Sequence, residues 1–168
     1  MSAIEEKVAA GTGKDTRSGS QPLAGGVHPV WGLPHESYGD AVFAGLAEAG
    51  LAPDTLSAGI SKERPGGQRE LYLRLVWMPG HPDVQDPAGM KLVWSHLAGW
   101  MALIASDAKP LQISGYATPA LLADAVLHVA VSGLDGAWTP ADQHAEWEHA
   151  LTLDQALSAA ADRGWIPW

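Results

Sequence analysis

The sequence predicts an α+β fold, an antiparallel meander of four or five strands with one helix before it and helices after it. Two observations support this prediction. In the middle of the chain, apolar residues alternate with polar ones, the period of two that is typical of strands. Before and after this region, apolar residues recur every three or four positions, which is typical of helices lying on a core.

Composition excludes several classes of function. Of the 168 residues, 46% are hydrophobic, which is enough for a core. The net charge of −9 and the lack of a Lys/Arg cluster disfavour binding of nucleic acids and anionic membranes by this chain alone. The absence of Cys rules out disulfides and thiolate metal sites. The sequence shows neither a signal peptide nor a membrane-spanning run, so we expect a cytoplasmic protein.

Three regions are predicted along the chain. Residues 1–33 contain a stretch rich in Gly, Ser and Thr without periodicity, which predicts a flexible tail. Residues 34–133 form the α+β domain. Residues 134–168 form an acidic helical extension packed on this domain.

The first helix is predicted after residue 36, with Ser37 as its N-cap and Gly50 at its end. Its apolar stripe comprises Tyr38, Val42, Leu46 and Ala49. Gly39 and Gly45 weaken a helix intrinsically, so this helix must gain its stability by docking.

The strands follow as two hairpins and a fifth segment. Residues 55–61 and 71–77 alternate on either side of a Pro-Gly-Gly turn. Residues 90–95 and 100–105 flank a second turn, and 111–116 form a short fifth strand. Because the segment 100–105 is apolar on both faces, we expect it to be a central strand that is covered on both sides or lies at a subunit contact.

The helix that follows the strands is predicted to begin with Thr118 as its N-cap and Pro119 in its first turn. Its buried stripe is Leu122, Ala125, Val126 and Val129. Two short C-terminal helices are predicted next. One begins at the Thr-Pro pair at 139–140, and the other at a capping box formed by Thr152 and Gln155.

Part of the chain resembles a family of uncharacterised actinobacterial domains. The resemblance covers about residues 37–131 and lies in Val93-Trp94, Gly99-Trp100 and Thr118-Pro119, where a Leu/Val-Trp strand, a Gly-Trp strand and a Pro-started helix follow one another. Ser95-His96 departs from the acidic turn of that family. The resemblance implies no activity. The order of elements is also similar to that of small chaperone-like domains that bind partner segments, an analogy of fold alone.

A metal-assisted hydrolase is one alternative function. Such an enzyme would use His81, Asp83, His96, His144 or Glu148. On a helix His144 and Glu148 share a face, whereas His144 and His149 are five positions apart and lie about 140° from each other. That spacing disfavours a metal shared by the two histidines, so we assign no catalytic residue, no metal and no cofactor.

The tryptophans suggest a different function. Trp77, Trp94 and Trp100 follow the strand period, and we expect them in the core. The acidic C-terminal region holds the predicted partner-binding residues, Trp138, Trp147, Trp165 and Trp168. His96 and Leu97 are candidates at the hairpin tip, where we expect His96 to be solvated.

These features together predict a protein-binding module that acts as a chaperone-like, regulatory or antagonist factor. The acidic charge favours a basic protein partner. A self-associating structural component is a further alternative, and a homodimer is expected for either function.

Substitution of Trp165 or Trp168 by Ala is expected to weaken capture of the partner without unfolding the chain, because an indole lost from an interface costs binding energy alone. Quantitative pull-down and circular dichroism measure the two effects. Unchanged capture by both variants would contradict this assignment.

Overall fold

The computed structural model describes residues 32–61 and 69–164, which form an antiparallel sheet and three helices. The helices are α1 (Glu36–Glu48), α2 (Pro119–Ser132) and α3 (Ala150–Asp162). The strands are β1 (Thr55–Ile60), β2 (Leu71–Trp77), β3 (Met90–Ser95), β4 (Gly99–Ile104) and β5 (Asp107–Pro110). The sheet order is β1-β2-β3-β4-β5, a meander in which every neighbour is antiparallel. The α+β fold with a five-stranded sheet is therefore confirmed. None of the described helices is long and apolar enough to cross a membrane.

Helix α1 presents its predicted stripe to the core, since Tyr38, Val42 and Leu46 are fully buried. Its start differs from the prediction. His35, not Ser37, occupies the N-cap position and provides no side-chain cap. The ring of His35 is instead tied to the sheet, through a 2.9 Å hydrogen bond between Nε2 and the Tyr72 carbonyl.

Helix α2 begins as predicted. The Thr118 hydroxyl accepts a hydrogen bond from the Leu121 N–H, and Pro119 occupies the first turn. This end of α2 lies close to α1, because a Cβ added at Gly45 would be 2.6 Å from the Pro119 Cβ. Gly45 thus weakens α1 locally but permits the contact between the two helices.

Strand β5 is wrongly placed in the sequence prediction. It spans 107–110 rather than 111–116, because a two-residue turn at 105–106 returns the chain directly alongside β4. Ala105 has a φ of 50° in this turn, in the left-handed region that such tight hairpins require. Alanine gave no sign of that conformation in the sequence.

The prediction of two C-terminal helices is also wrong, because α3 is the only helix described after residue 133. Residues 143–147 are hydrogen-bonded to 114–118 around an isolated antiparallel bridge between Ala117 and Glu146, with bonds from Ser114 N–H to the Gln143 carbonyl and from Trp147 N–H to the Tyr116 carbonyl. These bonds use backbone groups that a helix would need. Helix α3 begins at Ala150, so the proposed Thr152 capping box lies inside it.

The phenol of Tyr38 joins three parts of the core. It accepts a hydrogen bond from the Trp100 Nε1 at 3.1 Å and donates one to the Ala117 carbonyl at 2.8 Å. Trp94 and Trp147 pack on its ring, with centroids at 5.7 and 5.0 Å. Helix α1, the sheet and the segment before α2 therefore meet at one buried hydroxyl.

Tyr38→Phe is expected to lower the free energy of unfolding by about 2–3 kcal/mol, because it leaves a buried indole N–H and a buried carbonyl without a partner. Tyr116→Phe is the matched control, since that hydroxyl bonds to the exposed Asp154 and its loss is expected to cost below about 1 kcal/mol. Urea denaturation measures both variants. Equal losses would contradict the role given to Tyr38.

Candidate functional site

The two faces of the sheet differ in what lies on them. Residues opposite each other in an antiparallel pair point to the same face. The rows Leu75–Leu92–Ala102 and Leu73–Trp94–Trp100 point to the core and are buried. The rows between them point the other way and form what we call the open face.

The open face is apolar at its centre. Its side chains are those of Thr55, Ser57, Tyr72, Arg74, Val76, Lys91, Val93, Ser95, Met101, Leu103, Ala108 and Pro110. All of them except Ser95 are at least partly exposed. Solvated faces of antiparallel sheets normally carry polar residues, so four apolar side chains on β2, β3 and β4 are unusual there. These are Val76, Val93, Met101 and Leu103.

A depression of about 330 Å³ lies at one end of the open face. Val76, Lys91 and Leu103, which are neighbours in one cross-strand row, contribute to its lining. Met78, half exposed at 49%, and Pro79 add to it from the loop after β2. The open face is therefore concave at one end as well as apolar. A concave apolar surface suits a protein interface, where the partners are complementary in shape.

The only charged side chains at open-face positions of the five strands are Arg74 and Lys91, both positive. The Arg74 guanidinium lies 5.6 Å from the centroid of the Tyr72 ring, a cation–π contact. Glu70 lies just before β2 at the far end of this face, where its carboxylate accepts a hydrogen bond from the Ser95 hydroxyl.

Two predicted partner-binding tryptophans attach the C-terminal region to the rest of the domain, and their role in binding a partner stays a prediction. Trp147 is half-buried on Tyr38. Trp138 stacks on His128 at 6.5 Å and donates its indole N–H to the Asp124 carboxylate. Trp165 and Trp168 lie outside the described residues, so their assignment stays a prediction.

The two residues predicted at the hairpin tip differ in their exposure to solvent. His96 is half-buried rather than solvated, because its Nδ1 accepts a hydrogen bond from the Leu71 N–H at 3.1 Å and extends the pairing of β2 with β3. Leu97 is 53% exposed.

The candidate metal ligands do not converge. Within residues 32–61 and 69–164, no three His, Asp or Glu side chains lie close enough to hold a metal ion. His81 accepts a hydrogen bond from the Asp83 N–H in its own loop. His144 and Glu148 were predicted to share a helical face, but residues 139–149 are not helical, so this prediction is wrong.

His35 is a buried group that the sequence analysis missed. The carbonyl of Tyr72 can only accept, so Nε2 carries the proton and Nδ1 keeps its lone pair. Nδ1 is buried and has no hydrogen-bond partner among the described residues. Burial lowers the pKa of His35 to about 4, against the opposing effect of the Tyr72 hydrogen bond. The ring also lies 5.8 Å from Trp94, so a proton there would place a charge inside the aromatic core.

The signal for the open face was present in the sequence. Val76, Val93, Met101 and Leu103 occupy the strand positions where an amphipathic strand would carry polar residues. The missing information was which elements cover the second face. The C-terminal region, predicted to pack on the domain, is hydrogen-bonded to 114–118 beside Tyr38 on the helical side.

No protein-family model, curated protein or solved structure matches this chain. The resemblance to actinobacterial domains therefore stays a prediction, and we infer function from the geometry and charge of the described residues.

Acid is expected to destabilise the protein through His35. Its folded-state pKa of about 4 lies below the ordinary value of 6.5, so the unfolded chain takes up the proton first. Stability is complete above about pH 6.5, falls as the pH decreases towards 4, and loses about 3 kcal/mol in total from this group.

The measurement is the free energy of unfolding against pH, for the wild type and for His35→Gln, which retains a donor for Tyr72. The variant is expected to show a shallower slope between pH 4 and 6.5, whatever its absolute stability. Parallel curves would contradict this assignment.

Proposed function

We propose that this chain is a protein-binding module, a chaperone-like, regulatory or antagonist factor, whose partner docks on the open face. One observation supports this above all: the second face of the sheet presents Val76, Val93, Met101 and Leu103 where polar side chains are the rule. Contiguous apolar surface on a folded domain marks an interaction site more often than chance exposure does.

The composition of the face also fits a protein interface. Interface centres are enriched in Tyr, Met and Arg, all three of which are present as Tyr72, Met101 and Arg74. The side chains stand on three adjacent hydrogen-bonded strands, so little conformational entropy is lost from the backbone when a partner binds.

The basic partner expected from the net charge would meet a different surface. On the helical side, Glu48 and Asp124 line a groove of about 610 Å³ between α1 and α2. Leu127, 44% exposed, lies in the same groove. A basic partner segment is therefore proposed to contact this groove rather than the open face.

Self-association is the second candidate function, favoured by the half-buried Met101 and Leu103 of β4. These two residues give the predicted doubly apolar strand a face that α1 and α2 do not cover. Light scattering over a concentration series separates a dimer from a monomer, and a mass that stays at 17.6 kDa would exclude this candidate.

The docking surface is tested by affinity capture from the source organism with two double variants. Val93→Thr with Leu103→Thr removes apolar contact from the open face but keeps residues that suit strands. The matched control, Val131→Thr with Leu151→Thr, makes the same kind of change at exposed positions of α2 and α3, outside both the open face and the groove.

A true partner is expected to be retained by the wild type and the control and reduced at least about tenfold by the face variant, since each buried aliphatic side chain contributes about 1.5–3 kcal/mol. Quantitative mass spectrometry compares the three samples. If every specific partner survives the face variant, the open face is not the docking site.

A further inference from the structure

We infer that the occupant of the open face is an acidic segment of a partner protein, one that carries carboxylates as well as apolar side chains. This inference rests on the proposed function and specifies the chemistry of its partner. It differs from the basic partner that the net charge of −9 suggests.

The two cations of the open face lie among its apolar side chains. Arg74 pairs with Val93, and Val76 pairs with Lys91. The two cations therefore lie on one diagonal of this four-residue patch and the two valines on the other. The Cα atoms of Arg74 and Lys91 are about 8 Å apart from strand spacing and rise. No acidic side chain stands at an open-face position of β1 to β5.

A partner that docks on the open face therefore also buries positive charge. A partner that covers Val76 and Val93 necessarily covers Arg74 and Lys91 as well. Removing a cation from water is costly unless an anion replaces the lost hydration. Neither cation has an ion-pair partner among the described residues, so carboxylates of the occupant would supply the counter-charge that these residues lack.

The acids of this chain do not cancel the attraction. Those on α1 and α2 lie on the other side of the sheet. Asp54, Asp86 and Glu70 lie at the ends of the open face, where their carboxylates accept hydrogen bonds from the Met78 N–H, the Ala88 N–H and the Ser95 hydroxyl. The Debye length at physiological ionic strength is about 8 Å, so Arg74 and Lys91 are the nearest charges for a partner at the centre of the face.

Other occupants fit the charges less well. Two copies joined face to face about a two-fold axis would place the Arg74 and Lys91 side chains of both chains in one interface, with no acid at the open-face strand positions of either copy to offset them. A basic segment would add to this repulsion. A nucleic acid would supply phosphates but would meet the acidic remainder of the chain along its length.

The test uses two synthetic amphipathic helical peptides as probes. Both have leucine along one stripe; one has glutamate and the other lysine at the remaining positions. Binding to the full chain is measured by fluorescence anisotropy. The double variant Arg74→Glu with Lys91→Glu reverses the charge of the open face. The control, Lys109→Glu with Arg163→Glu, changes the net charge equally elsewhere.

The glutamate peptide is expected to bind the wild type and the control more tightly than the lysine peptide does. The face variant is expected to lose about tenfold in affinity for the glutamate peptide and to prefer the lysine peptide. Circular dichroism melting confirms that each variant is folded.

Three results would overturn the inference: equal affinity for the two peptides, no binding of either to the wild type, or tighter binding of an oligouridine probe. If the wild type binds both peptides equally and the Val93→Thr, Leu103→Thr variant binds neither, the open face is still the docking site. Only its preference for acidic segments is then rejected. Persistence of binding in that variant would reject the docking site itself.

Discussion

The buried hydroxyl of Tyr38 is the constraint on which the rest of the architecture depends. A phenol can accept one hydrogen bond and donate another, and here each bond leads to a different layer: Trp100 on β4 and the carbonyl of Ala117 before α2. Desolvation raises the pKa of Tyr38 above its ordinary range, so this phenol keeps the proton that it donates. The two bonds tie α1 both to the sheet and to the segment before α2, on the sheet face that carries the buried apolar rows.

The second face of the sheet is open because the described C-terminal elements also pack on the helical side. The segment 143–147 is hydrogen-bonded to 114–118 next to Tyr38 and leads into α3, which buries Leu153 and Leu157 in the same core. Burial and the neighbouring Asp154 raise the pKa of Tyr116 to about 12, so its hydroxyl stays a donor to α3. Every described helix contributes to one continuous core, and Arg74 and Lys91 lie apart from it.

Local patterns in the sequence predicted the elements well and their partners poorly. The alternation in 71–77 and 90–95 and the Thr118-Pro119 start are short-range signals, and each produced the expected element. The segment 139–149 was misjudged because its Thr-Pro start is compatible with a helix, and backbone pairing with distant residues decided otherwise. The open face was not predicted for the same reason, since contacts between residues far apart in the sequence decide which face of a sheet is covered. His35 gave no local sign of its burial.

The outer strand β5 also affects whether another strand can pair with the edge of the sheet. An exposed strand edge normally invites another strand to extend the sheet, the geometry that leads to aggregation. Strand β5 has only four residues, ends in a proline that offers no N–H, and carries Lys109, whose ammonium bonds to the Leu134 carbonyl. These features disfavour addition of another strand at β5, so the sheet can present an apolar face with less risk of aggregation through this edge.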